Sequence, residues 1–288
     1  MELFQYPYMQ RALVGALIIG LAAPALGIYL VQRRLALIGD GVGHVALTGV
    51  GAGLLLNRSP VLVAVLVAAA GAITIELVRA RGRTSGDLAL ALLFYGGIAG
   101  GVTLVGLSDS TSASLNAYLF GSLSTIRPAD LTTIAVLGAA IAVTMLALRP
   151  ALFAVCHDEE YARVSGLPVR TLNLLLAVAT AVTVTIAMRA VGVLLISALM
   201  VVPVATAQQV TRGFRSTMTA AMALGLFAAG SGVWVAANAD TAPGASVVLM
   251  AIASFGVVAI GGAGWRMLRR RRTPDAAPAP EPHEVVLQ

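Results

Sequence analysis

The sequence contains no lysine: all 19 of its basic residues are arginine. Without lysine there is neither a Walker A lysine to hold a nucleotide phosphate nor a Schiff-base nucleophile, so any ATP chemistry belongs to another chain. A single cysteine, Cys156, excludes an intramolecular disulfide and carries no compartment signal. Charge is scarce, at 11% of 288 residues against roughly 25% in a soluble domain. The net charge of +6 would suggest nucleic acid if it were clustered, but the arginines fall in short breaks between apolar runs, which excludes that partner. The opening MELFQYPYMQ lacks the basic region of a secretory signal, so residues 11–31 are expected to stay as a helix.

What fills the chain is hydrophobic, 58% of it, in windows of about the 20 residues that cross a bilayer as a helix. The fold class is therefore an all-α, polytopic integral membrane protein surrounded by lipid. Spans are expected near 11–31, 35–56, 61–78, 88–107, 131–148, 171–188, 191–210, 217–236 and 245–264, which is nine, or eight if two windows merge. With nine and the N-terminus outside, 15 of the 19 arginines collect on one side, leaving Arg11, Arg58, Arg127 and Arg189 on the other. The positive-inside rule makes the rich side cytoplasmic and places the C-terminus there. One transmembrane domain, 1–265, is followed by a basic juxtamembrane segment and disordered tail, 266–288. Residues 108–130 hold a half-length apolar piece, expected as an interfacial or re-entrant helix outside. Residues 149–170, RPALFAVCHDEEYARVSGLPVR, face inside and are polar enough to dock a soluble partner.

Within the second apolar run stand Asp40 and His44. At i and i+4 they share one helical face, with Cβ atoms about 5–6 Å apart. At about 1.5 Å per residue from Leu35, Asp40 lies roughly 8 Å deep and His44 roughly 14 Å, close to the midplane of a core of about 30 Å. A buried Asp costs about 2.5–3.5 kcal/mol on insertion, so the pair should face a bundle interior or an aqueous path. A carboxylate with an imidazole suits Zn²⁺ and tolerates Mn²⁺ or Fe²⁺. The same two residues could instead hydrogen-bond each other and hold helices together. The flanking Gly39, Gly41, Gly43, Gly49, Gly51 and Gly53 cost helix propensity, and a glycine-lined face would leave room for an ion.

Other polar groups read as structural. CHDEE, Cys156 to Glu160, has five potential ligands but no metal-site spacing and is expected to be a polar loop. Glu76 and Arg79 suit a helix ion pair. Met188, Met200 and Met218 suit packing, and His283 belongs to the tail. No nucleophile, base and orienter assemble, so an enzyme is not expected.

Four blocks carry a resemblance over roughly Leu13 to Gly262: RRLALIGDGVGHVALTGVGAG (Arg33–Gly53), NAYLFGSL (Asn116–Leu123), DEEYARVSGLPVRTLN (Asp158–Asn173) and VGVLLISALMVVPVATA (Val191–Ala207). In these the chain resembles the permease subunits of bacterial ABC importers for zinc, manganese and iron. The Gly-Asp-x-x-x-His helix of that family supplies intramembrane metal ligands, which implies Asp40 and His44 here. This chain departs from the usual pattern at Gly41, at Gly43, and in having Thr48 before Gly49. The inner loop resembles the family's ATPase-docking element, with Glu160, Ala162 and Gly166 in coupling positions, and a short cytoplasmic helix ended by Gly166 and Pro168 is expected there. The resemblance implies a second copy of the permease, a cytoplasmic ABC ATPase and an extracytoplasmic metal-binding protein as partners, in the bacterial cell membrane. No cofactor is implied on this chain: the metal, with zinc favoured by its affinity for nitrogen-containing sites, is cargo, and ATP is used by the partner. The rival readings are a stand-alone divalent cation carrier or channel, a membrane-embedded enzyme, and a structural scaffold.

Overall fold

The computed structural model describes residues 6–80, 86–108, 112–121 and 128–272. Twelve helices account for them, with no strand among the described residues: α1 (Pro7–Gln32), α2 (Ile38–Leu55), α3 (Pro60–Ala80), α4 (Gly86–Leu107), α5 (Ser112–Phe120), α6 (Pro128–Ala147), α7 (Arg149–His157), α8 (Glu159–Val164), α9 (Val169–Met188), α10 (Val193–Val210), α11 (Phe214–Ala239) and α12 (Pro243–Arg272). Proline opens α1, α3, α6 and α12, where its missing N–H costs nothing and its φ is preset.

Eight of these helices are long and apolar enough to cross a membrane. The remaining apolar helix, α10, has a shorter described stretch, Leu195–Val210, yet it runs from one end of the bundle to the other. Two sets of contacts fix those ends. At one end Tyr29 Oη donates to the Met145 carbonyl at 2.7 Å, the Phe214 ring lies 4.7 Å from that of Phe153, and Arg33 reaches Asn173. That end gathers the C-termini of α1 and α6, the whole of α7, and the N-termini of α9 and α11. At the other end Arg189 Nη1 donates to Asp130 Oδ1 at 2.9 Å, with Tyr118 of α5 beneath the guanidinium. Gly192, which caps α10 at φ 92, touches the backbone of Leu119 and Phe120 there, whereas Thr211 at the other end of α10 shares a 2.7 Å hydroxyl contact with Thr217 of α11.

Helices approach closely through small residues, as association in lipid requires. Gly20 and Gly225 put the backbones of α1 and α11 in contact, and Gly27 meets the backbone at Met200 of α10. Buried threonines satisfy themselves: Thr180, Thr183, Thr185 and Thr206 each donate to the carbonyl four residues back. Met188, Met200 and Met218 are fully packed.

Two expectations change. CHDEE is not a loop: Cys156 and His157 end α7, Asp158 caps α8 by accepting the Tyr161 N–H at 2.9 Å, and Glu159 and Glu160 form the first turn of α8. The apolar Leu152, Val155 and Ala162 bury against the bundle and hold both short helices in place. The last span, expected near 245–264, falls at Pro243–Gly262, and its helix α12 continues to Arg272. The glycines of α2 do not line an open face, because neighbouring helices meet them on every side. Within the expected re-entrant segment α5 is indeed a short helix of nine residues. Arg81, Arg83, Arg127 and the tail with His283 lie outside the described residues.

Candidate functional site

Helix α2 begins at Ile38, three residues later than the apolar run does. Asp40 therefore sits in its first turn, where the positive end of the helix dipole favours a carboxylate. His44 lies one turn further in, about 9 Å along the axis from the start of α2 at about 1.5 Å per residue.

Helix α2 packs most extensively against α4. The approach is set by Gly97, where a Cβ would stand 2.6 Å from both the His44 carbonyl carbon and the Val45 nitrogen. One turn beyond His44, Thr48 Oγ1 donates to the Gly97 carbonyl at 2.8 Å and fixes the register of the two helices. Leu90 and Leu104 of α4 also meet Gly41 and Gly51, while on the other sides Gly39 is met by Ser197, Gly43 by Val193, Gly49 by Ala64 and Gly53 by Pro60. The glycines serve close packing, and room for a ligand lies elsewhere. A recess of about 410 Å³ is lined by Leu37, Asp40, Leu90, Ala91, Phe94 and Tyr95. Asp40 is half-buried at its wall, and Tyr95 at its edge is 70% exposed.

His44 is 5% exposed, with the Phe94 ring edge-on at 4.5 Å. Its Nδ1 is buried without a hydrogen-bond partner. No hydrogen bond joins it to Asp40 among the described residues, so the purely structural Asp–His pair is not formed. An imidazole nitrogen left bare, one turn from a carboxylate beside a recess, is chemically a two-donor set for a divalent cation. The other buried polar atom without a partner among the described residues is Ser197 Oγ, on α10 against Gly39. Ser197 and Phe94 were not singled out by the sequence, and Thr48 stood out only as a departure from the family pattern. Spacing within one helix shows i, i+4 pairs, but a partner from another helix leaves no trace in it.

The second group of sequence-predicted residues lies on α8, at the Arg33 end of the bundle. Ala162 is fully buried, Glu160 faces solvent, and Gly166 ends the helix at φ 81, a left-handed conformation that glycine adopts without strain. Beside Glu160 the apolar Tyr161 and Val164 are also exposed. Glu159, not Glu160, turns towards the bundle: its carboxylate lies 3.4 Å from Arg163 and 3.5 Å from Arg33. Glu76 and Arg79 form the expected ion pair at 3.0 Å. Burial, and then the charge of Arg79, pull the Arg33 guanidinium below its ordinary pKa. Asp40 with His44 and the α8 group occupy separate places.

The chain as a whole is similar to known membrane transport proteins. The chain is 29% identical over 255 residues to the manganese transport system membrane protein MntC of Halalkalibacterium halodurans, covering 88% of this chain and 87% of that protein. It is 30% identical over 238 residues to the high-affinity zinc uptake system membrane protein ZnuB of Haemophilus influenzae, covering 83% and 91%. Among solved structures, PsaBC from Streptococcus pneumoniae in complex with Fab aligns with a TM-score of 0.81 and 28% identity over 88% of this chain and 92% of that one. The family description "ABC 3 transport family" matches residues 5–261. With eight membrane-crossing helices and a family match over nearly its whole length, the chain belongs to the ABC 3 transport family and is a multi-pass protein of the bacterial cell membrane.

Proposed function

We propose that this chain is the permease subunit of an ABC importer that moves a divalent metal ion into the cytoplasm. Its N-terminus faces outside and its C-terminus faces the cytoplasm. A separate ATPase docks on α8, an extracytoplasmic binding protein delivers the ion, and the chain itself hydrolyses nothing. The observation that carries this reading is the bare, buried Nδ1 of His44 on the same helical face as Asp40. An unpaired buried nitrogen costs about 1–3 kcal/mol, a cost that ion binding offsets.

The recess at Asp40 supports a second copy of the chain. It lies between α2 and α4, with Tyr95 and Leu37 of its lining exposed. A carboxylate so placed cannot face hydrocarbon, and a homodimer covering this side encloses it in protein. Manganese and zinc systems match the chain almost equally well. We favour zinc, because nitrogen-containing sites bind Zn²⁺ more tightly than Mn²⁺ or Fe²⁺.

The test is metal accumulation in a deletion strain, measured for zinc, manganese and iron side by side, with affinity purification of the tagged chain. Selective loss of zinc uptake and copurification of an ATPase are expected. Unchanged accumulation of all three metals would end the importer reading, and metal uptake without any ATPase partner would favour a stand-alone carrier.

A further inference from the structure

Arg33 follows the last residue of α1, and its side chain is only 7% exposed. Its two terminal nitrogens reach different elements. Nη1 donates to Oδ1 of Asn173, a buried residue in the second turn of α9, at 2.9 Å. Nη2 reaches Oε2 of Glu159, the first residue of α8, at 3.5 Å. The planar guanidinium suits such a two-armed grip, which a lysine ammonium cannot reproduce in the same geometry. The arms differ: the bond to α9 is short and buried, and the contact to α8 is long and half-open to solvent. Glu159 also has Arg163 within its own helix at 3.4 Å, so α8 can leave Arg33 without stranding its carboxylate.

The chain after Arg33 is a tied corner. Arg34 takes φ 59, the Leu35 N–H donates to the Leu30 carbonyl at 2.8 Å, and the Ile38 N–H donates to that of Leu35 at 3.0 Å. The N–H of Asp40 itself donates to the Leu37 carbonyl at 3.2 Å. These bonds tie the stretch from Arg33 to Asp40 to the end of α1 and the first turn of α2.

We propose that Arg33 transmits displacement of α8 to the Asp40 corner of α2, acting as a positioning residue for transport and not as a ligand of the ion. This rests on the permease reading above, in which the ATPase docks on α8 and the ion passes Asp40. When the ATPase pulls α8, the Glu159 arm lets go or drags the corner, and Asp40 shifts relative to the recess it borders. Asn173 is the pivot, holding Arg33 to α9 throughout.

The test uses the complete transporter, with ATPase and binding protein, reconstituted in vesicles and read for zinc moved and ATP hydrolysed. Arg33→Lys keeps the cation but not the fork. Glu159→Gln keeps an acceptor but not the charge. In each the complex should assemble and hydrolyse ATP within about twofold of the parent, while zinc moved per ATP falls about tenfold, within the ordinary range of coupling between sites. Combining Arg33→Glu with Glu159→Arg restores the opposite charges, and the Asn173 amide can turn to donate, so the ratio should recover to within about threefold. Parental stoichiometry in both single variants overturns the inference. So does a common fall in assembly, hydrolysis and transport across the singles and the exchange, which would make Arg33 a fold staple. In either case a parent protein that couples hydrolysis to uptake leaves the permease reading standing, whereas a parent that binds no ATPase and moves no metal overturns both.

Discussion

His44 and Thr48 stand one turn apart on α2, both close to α4. The hydroxyl of Thr48 is spent on the Gly97 carbonyl, and the Nδ1 of His44 on nothing. One contributes to packing, and the other costs stability until a ligand arrives. Asp40→Ala and His44→Ala should each abolish metal uptake while detergent-stable assembly with the ATPase stays near normal, because removing a costly polar group from a membrane core need not destabilise it. If the two residues instead supported each other, each single change would strand a partner at about 1–3 kcal/mol and the double change would recover assembly. Size-exclusion profiles plus zinc uptake for both singles and the double decide between these, and a double variant that transports would sink the ion-site assignment. Asp40 and His44 were legible because the helical repeat puts i and i+4 on one face. Arg33 with Asn173, 140 positions apart, was not, since only the folded bundle brings them together.

At the scale of elements, α8 shows how little sequence a fixed helix needs. Six residues suffice because Asp158 caps one end, Gly166 closes the other and Ala162 is fully buried between them. Gly166 has open space where a Cβ would go but a φ of 81, so a substitution there is strained by backbone conformation and not by crowding. Gly166→Val should cost on the order of 1–2 kcal/mol at that turn, loosening the helix end and weakening ATPase copurification or its stimulation by the metal-loaded binding protein. Uptake assays against zinc, manganese and iron should show unaltered selectivity, and altered selectivity with intact coupling would mean that α8 serves the ion. Long helices were readable from apolar windows bounded by proline and glycine. The nine residues of α7 were not, because they are too short for a periodic pattern and owe their form to burial of Leu152 and Val155 against distant helices, whereas the short helix α8 was signalled by Gly166 and Pro168 beyond its end.

On the scale of the whole molecule, the arginine asymmetry gives an orientation that labelling can check. Single cysteines placed at Asp240 and at Glu160 should react with an impermeant maleimide from opposite sides, Asp240 from outside intact cells and Glu160 only after lysis. The background from Cys156 should be small, since burial pushes its thiol up to about 11 and leaves little thiolate at neutral pH. Labelling of position 160 on intact cells would overturn the nine-span orientation. The windows predicted α10 as a span although its described apolar stretch is the shortest, and its end-to-end course follows from its contacts, not its length. One of those contacts bears on how the chain is made. Gly121 lies against the Ala190 carbonyl, Gly192 against Phe120, and Gly244 against the Val191 carbonyl, so three stretches far apart in sequence close on one point. The last of them is synthesised 123 residues after the first, 244 less 121, a wait of roughly 10 seconds at ribosomal speeds. Until α12 enters the bilayer, α5 and the α9–α10 turn lack its cover, and this end of the bundle stays unsealed.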